Sequence, residues 1–97
     1  MQVLESSIEQ SFVAKLKKVG LVSIKLNLQG TRGWPDRLVL VPGGVPLFIE
    51  FKRPGEDLRA LQRVRHDYLR SLEYDVETFD DAEEAFQHVL DTAAISE

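Results

Sequence analysis

Glu50 and Lys52 are charged residues set two positions apart in the otherwise apolar run LFIEFK. If that run is a strand, side chains alternate with period two, so Glu50 and Lys52 share one face and Phe51 takes the other. Charged groups are costly to bury and seldom stand mid-strand unless they are paired or bind a metal. Asp36 follows Gly33, Trp34 and Pro35, fourteen positions before Glu50 (50 − 36), at the head of a second apolar run, RLVLV. A hairpin between the two runs brings both carboxylates to one end of a sheet. Two carboxylates plus water oxygens make a hard-oxygen site suited to Mg²⁺ or Mn²⁺, which binds through one or two carboxylates and a substrate phosphate. Lys52 can then orient an attacking water and stabilise the negative charge that grows on the phosphate. The competing reading is an ordinary Glu50–Lys52 ion pair on a solvated strand, of small energetic worth.

The elements that must position these residues can be read from periodicity. Ser6 and Glu9 fit a capping box, and Ile8, Phe12, Val13, Leu16 and Val19 recur at helical spacing up to Gly20, which predicts a first helix over Ser7 to Val19. In LVSIKLNLQ, Val22, Ile24, Leu26 and Leu28 alternate with polar residues as in a half-buried strand. Gly30, Gly33 and Pro35 mark a loop. RLVLV and LFIEF follow as two strands joined by the short turn PGGVP. Pro54 and Gly55 end the second of them, and Asp57 is a plausible N-cap for a helix with a stripe of Leu58, Leu61, Tyr68, Leu69 and Leu72. Val76 to Phe79 reads as a short strand. Asp80 or Asp81 caps a last helix carrying Ala82, Ala85, Phe86, Val89 and Leu90, and residues 91–97 are expected to fray. The order is α-β-β-β-α-β-α.

The 97 residues, 43% of them hydrophobic, suit one compact domain over 1–97 that buries roughly 60 to 65% of its unfolded-chain surface. No run approaches the ~20 apolar residues of a membrane helix, and the opening MQVLESSIEQ lacks the layout of a secretion signal, so a cytoplasmic protein is expected. There are no cysteines, which excludes disulfides, thiolate metal sites and cysteine nucleophiles. The net charge of −4 hides a segregation. From Glu73 onward there are nine acidic residues and no Lys or Arg, so residues 1–72 hold all 12 bases against seven acids (16 − 9), about +5. Such a chain can offer a basic face to phosphates and keep its acidic end turned away, or simply carry a solvated acidic tail. Lys25, Arg32, Arg37 and Arg53 lie close to the charged motif and are the candidate contacts to nucleic-acid phosphates. Trp34 could stack on a base, although a lone tryptophan more often belongs to a core. His66 and His88 have no ligand spacing between them and read as surface or half-buried residues.

Gly33, Pro35, Asp36 and Arg37 (G-x-P-D-R), the short hairpin, Glu50 to Gly55 (E-x-K-R-P-G) and a following helix with an embedded glutamine together resemble the PD-(D/E)XK nucleases. Within that superfamily the chain is similar to the VRR-NUC (virus-type replication-repair nuclease) family from Glu5 to about Phe79. The resemblance implies a restriction-endonuclease-like α/β core, with a mixed sheet flanked by helices. It implies phosphodiester hydrolysis with a divalent ion held by Asp36 and Glu50, the Phe51 carbonyl oxygen as a further ligand, and Lys52 as the activating lysine. The family also places an acid on its first helix, where Glu5 and Glu9 both qualify. At 100° per residue Glu9 lies in the arc of Phe12, Val13 and Leu16, so Glu9 is expected near the metal, directly or through water, with Glu5 the alternative. Gln62 matches the family's helix glutamine and is expected to steady Lys52 or a carboxylate.

Likeness to stand-alone members that resolve junctions implies a homodimer that cuts branched DNA such as four-way (Holliday) junctions, a role in DNA repair, and a phage or bacterial source. Three other readings compete: a nucleic-acid-binding module that cleaves nothing, a structural or interaction domain whose acidic end recruits a partner and whose E-x-K is an ordinary strand pair, and an RNA-cleaving enzyme on the same scaffold.

Overall fold

In a computed structural model that describes residues 4–26 and 32–95, the chain runs α1 (Glu5–Lys18), β1 (Val22–Lys25), β2 (Arg37–Val41), β3 (Val45–Phe51), α2 (Ala60–Ser71), β4 (Asp75–Phe79) and α3 (Ala82–Ile95). Leu28, Gly30 and the last two tail residues lie outside the described segments. The expected element order is the order found. The strands form one sheet in the order β1-β2-β3-β4. β1–β2 and β2–β3 are antiparallel, and β3–β4 is parallel, so the sheet is mixed. A parallel pair needs a crossover, and α2 supplies it.

α1 and α3 cover one face. Phe12 and Leu16 of α1 and Ala85 and Val89 of α3 bury there against Val39, Leu47, Ile49 and Phe51 of the central strands. The Phe12 and Phe51 rings lie 5.2 Å apart. On the other face α2 packs on β4, and its Arg70 Nη2 donates to the Val76 carbonyl at 2.7 Å. α2 does not extend over β1 and β2.

Several local expectations are corrected. α1 starts at Glu5 with Leu4 as N-cap and no side-chain cap, so Ser6 and Glu9 form no capping box. The Glu9 carboxylate instead binds two cations, and charge-assisted bonds are stronger than a neutral cap. α2 starts at Ala60 rather than after Asp57, and the Arg59 N–H donates to Gln62 Oε1 at 2.7 Å. Of the expected α2 stripe only Leu69 is buried, while Leu61, Tyr68 and Leu72 are exposed, because the helix sits over β4 alone. Val22 and Ile24, expected to face a core, are 59% and 45% exposed. Of the tail expected to fray from residue 91, residues 91–95 are helical and the last two lie outside the described residues. α3 continues to Ile95, and Ala93 packs against the core. Asp81 Oδ2 accepts the Glu84 N–H at 2.9 Å, as an N-cap should.

Candidate active site

The β2–β3 ladder pairs Arg37 with Ile49, so one further step sets Asp36 opposite Glu50. Asp36 is fixed by its Oδ2, which accepts the Phe51 N–H at 2.7 Å. The loop that delivers it is held by Gly33, whose φ of +86° suits glycine, and where an added Cβ would come within 2.8 Å of the Leu61 carbonyl oxygen. Pro35 behind it is buried. The loop is thus clamped on α2 while Asp36 is clamped on β3.

Glu50, Lys52 and His66 are the buried polar residues among those described, at 2%, 5% and 0% exposure. Glu50 lies on the α2 face of the sheet and Phe51 on the opposite, core face, as period two requires. The Lys52 N–H donates to the Phe79 carbonyl at 2.9 Å, which extends the parallel ladder by one residue beyond β3. Glu50 and Lys52 form no ion pair with each other at contact distance. The Lys52 Nζ lies 3.8 Å from Glu5 Oε1 and 4.0 Å from Glu56 Oε1. Glu50 Oε1 instead meets His66 Nε2 at 3.3 Å.

Electrostatics mark the pair of carboxyls. Burial, reinforced by the neighbouring charge of Glu50, pushes the Asp36 carboxyl up to about 7. Burial raises Glu50 as well, against lowering contributions from its bond to Asp36 and from Lys52. Glu5 is raised by its hydrogen bond to Glu56, and Glu56 is lowered by the same bond and by Arg53. Burial holds His66 below the ordinary histidine range, so its ring is neutral near pH 7.

Two neighbouring carboxyls that burial keeps from ionising together are short of positive charge, and a divalent cation would take the place of the proton they retain. Their hard oxygens suit Mg²⁺ or Mn²⁺. The donor set therefore fits the ion implied by the sequence.

The remaining expected residues divide. Glu9 is drawn to Lys25 Nζ at 2.8 Å and Arg37 Nε at 2.7 Å rather than to Asp36, and the α1 acid beside Lys52 is Glu5. Gln62 is engaged with the Arg59 backbone and reaches neither Lys52 nor a carboxylate in any hydrogen bond described. Arg37 also donates to Ser23 Oγ at 3.1 Å and is largely covered. Lys25 and Arg53 stay about half exposed, at 48% and 47%, with Arg53 bonded to Glu56. Arg32 is exposed, and its carbonyl accepts Arg65 Nε. Trp34 meets Tyr68 edge-on, with the Arg65 guanidinium 4.9 Å from its ring centre.

His66 and Glu56 were missed by the sequence reading. For His66 a signal existed: it is four residues after Gln62 and three before Leu69, on the inward arc of α2. Glu56 lies in a loop, where no periodicity points to it.

Asp75, Glu77 and His88 form a further group on the opposite face of the sheet, at β4 and α3, with ligand atoms within 4.8 Å of one another. His88 Nε2 lies 3.3 Å from Asp75 Oδ2. Among the described residues no helix is long and apolar enough to cross a membrane.

Comparison with known proteins agrees with this geometry. No family profile matches the chain. A protein described as "Putative nuclease p44", from Acyrthosiphon pisum secondary endosymbiont phage 1, is 38% identical over 78 residues, covering 80% of this chain and 84% of the relative. A solved structure described as a VRR_NUC domain superposes with a TM-score of 0.74 at 24% identity, covering 93% of this chain and 94% of that one.

Proposed function

We propose that this chain, a relative of a putative phage nuclease with the fold of a VRR_NUC domain, is a divalent-metal-dependent endonuclease of the PD-(D/E)XK class that hydrolyses phosphodiester bonds in branched DNA as a homodimer. The observation that carries the reading is the convergence of Asp36, Glu50 and Lys52 at the end of β3, with the Asp36 carboxyl pushed up to about 7.

Asp36, Glu50 and the Phe51 carbonyl oxygen would hold Mg²⁺ or Mn²⁺. Once bound, the ion supplies the charge that neutralises and aligns the scissile phosphate. Lys52, tethered between Glu5 and Glu56, keeps its ammonium at the site to steady the attacking water and to offset charge on the phosphate. Water oxygen forms the new P–O bond, and the strand's oxygen leaves with a proton. Lys25, Arg32 and Arg53, with exposed side chains, take neighbouring phosphates, and Arg37 with Glu9 braces Lys25 from below.

Homodimerisation is supported by the uncovered half of the sheet. Val22 and Ile24 pair with Leu40 and Leu38 across the β1–β2 ladder, and Val22, Ile24 and Leu40 are 59%, 45% and 50% exposed. Isologous pairing through that face would set two sites symmetrically, which suits four-way junctions. The absence of cysteine and the phage relative fit work on DNA in the reducing cytoplasm of a host cell.

The test is cleavage of four-way junctions, flaps, splayed arms, linear duplex DNA and duplex RNA, with Mg²⁺, Mn²⁺ or chelator. Wild-type protein should cut branched DNA only with metal, and Asp36→Asn and Lys52→Ala should each lose at least ~10³-fold in rate while still binding DNA. Binding without cleavage by the wild type would make it a silent module, and cutting of RNA alone would reassign the substrate.

A further inference from the structure

His66 is fully buried on α2, yet an apolar residue there would avoid a cost that the histidine incurs. Its Nδ1 is shut off from solvent with no hydrogen-bond partner. The other ring nitrogen, Nε2, lies 3.3 Å from Glu50 Oε1. At that distance the carboxylate selects Nε2 as a donor, because a bare Nε2 lone pair would repel the carboxylate oxygen. The position of the ring is set from outside the site: Leu69 is buried three residues on, and Arg70 ties α2 to β4 through the Val76 carbonyl. β4 in turn pairs Thr78 with Glu50. Besides Glu50, the charged groups Arg70, Asp67, Asp36 and Lys52 act on the ring.

We propose that His66 is a positioning residue for Glu50: its Nε2–H holds Oε1, so that Glu50 presents its other carboxylate oxygen to a divalent ion in one fixed orientation. The inference rests on the nuclease reading above. It also gives α2 a task that the sequence assigned to Gln62, one turn earlier.

Mn²⁺ affinity measured by electron paramagnetic resonance on wild type, His66→Phe and His66→Gln tests it. His66→Phe fills the space without a donor, and should weaken Mn²⁺ binding by about 10- to 100-fold and lower kcat with little change in KM for DNA. His66→Gln keeps an N–H donor and should restore affinity to within a few-fold. Mn²⁺ affinity in folded His66→Phe within twofold of wild type would overturn the role. Should neither variant fold, ¹⁵N spectra of the wild-type imidazole decide: a proton on Nε2 that shifts when Mg²⁺ is added supports the proposal, and a proton on Nδ1, or an Nε2–H unmoved by Mg²⁺, refutes it. A wild type that binds no Mn²⁺ at all would instead bring down the nuclease reading, and this inference with it.

Discussion

The Lys52 Nζ lies 3.8 Å from Glu5 Oε1, so the first turn of α1 meets the chain just past the end of β3. Glu9, one turn further along the helix, is turned to Lys25 and Arg37. The two acids should therefore fail differently. Glu5→Gln should slow cleavage by about 10- to 100-fold with little change in melting temperature, since it removes a charge that places the ammonium. Glu9→Gln should cost about 1–3 kcal/mol by freeing two cations, a drop of at least ~4 °C in melting temperature, with cleavage reduced less. Rates and melts on both variants check the pair, and equal rates would remove Glu5 from the site.

Asp36 gives a pH signature. Its carboxyl rises from 3.8 unfolded to about 7 folded, so the folded state holds the extra proton between those values. With fewer protons bound in the unfolded state, stability falls as pH rises from about 4 to about 7 and levels off above. Metal-free protein should thus melt progressively lower across that window, and added Mg²⁺ should restore most at the alkaline end. Calorimetric titration of the metal below pH 7 in buffers of different ionisation enthalpy should show proton release. Asp36→Asn should flatten both trends, and a melting temperature that climbs steadily from pH 4 to 7 in metal-free wild type would contradict the assignment.

Gly33 should tolerate no side chain. A Cβ there would come within 2.8 Å of the Leu61 carbonyl oxygen, and the φ of +86° is itself unfavourable for alanine by roughly 1–3 kcal/mol. Gly33→Ala should therefore lower the melting temperature and, by lifting the loop from α2, displace Asp36 and suppress cleavage. Gly20 offers the control: its φ is +74° but nothing lies within 4 Å of an added Cβ, so Gly20→Ala should lower the melting temperature less and leave cleavage intact.

The sequence made the sheet order of charges legible because period two and hairpin length are local properties: Asp36, Glu50 and the opposite placement of Phe51 follow from them. Properties set by distant partners were not legible. The alternation of Val22 and Ile24 gave the period of β1, but which face is covered depends on where α2 lies, and α2 rests on β4. Ser6 and Glu9 have the spacing of a capping box, but Lys25 and Arg37, sixteen and twenty-eight positions away from Glu9, compete for its carboxylate. Gln62 and His66 share one arc of α2, and only the docking of that helix decides which of them meets Glu50.

The uncovered sheet face supplies the last prediction. Val22, Ile24 and Leu40 are each about half exposed, and Leu38 and Phe48 continue the same face toward Glu50 through the β1–β2 and β2–β3 registers. A contiguous apolar surface of this kind on a small protein marks an interaction site more often than an idle one. A second copy of the same face would satisfy it with two-fold symmetry. Leu40→Asp and Ile24→Asp place a charge where a partner's apolar side chain would sit, while the exposed position spares the fold. Each should convert a dimer to the 11.0 kDa monomer in light scattering at micromolar concentration. Junction cleavage should fall much more steeply than cleavage of a linear substrate, because only the former needs two sites held in register. A wild-type protein that is already monomeric at that concentration, or aspartate variants that remain dimeric, would place the interface elsewhere or dismiss it.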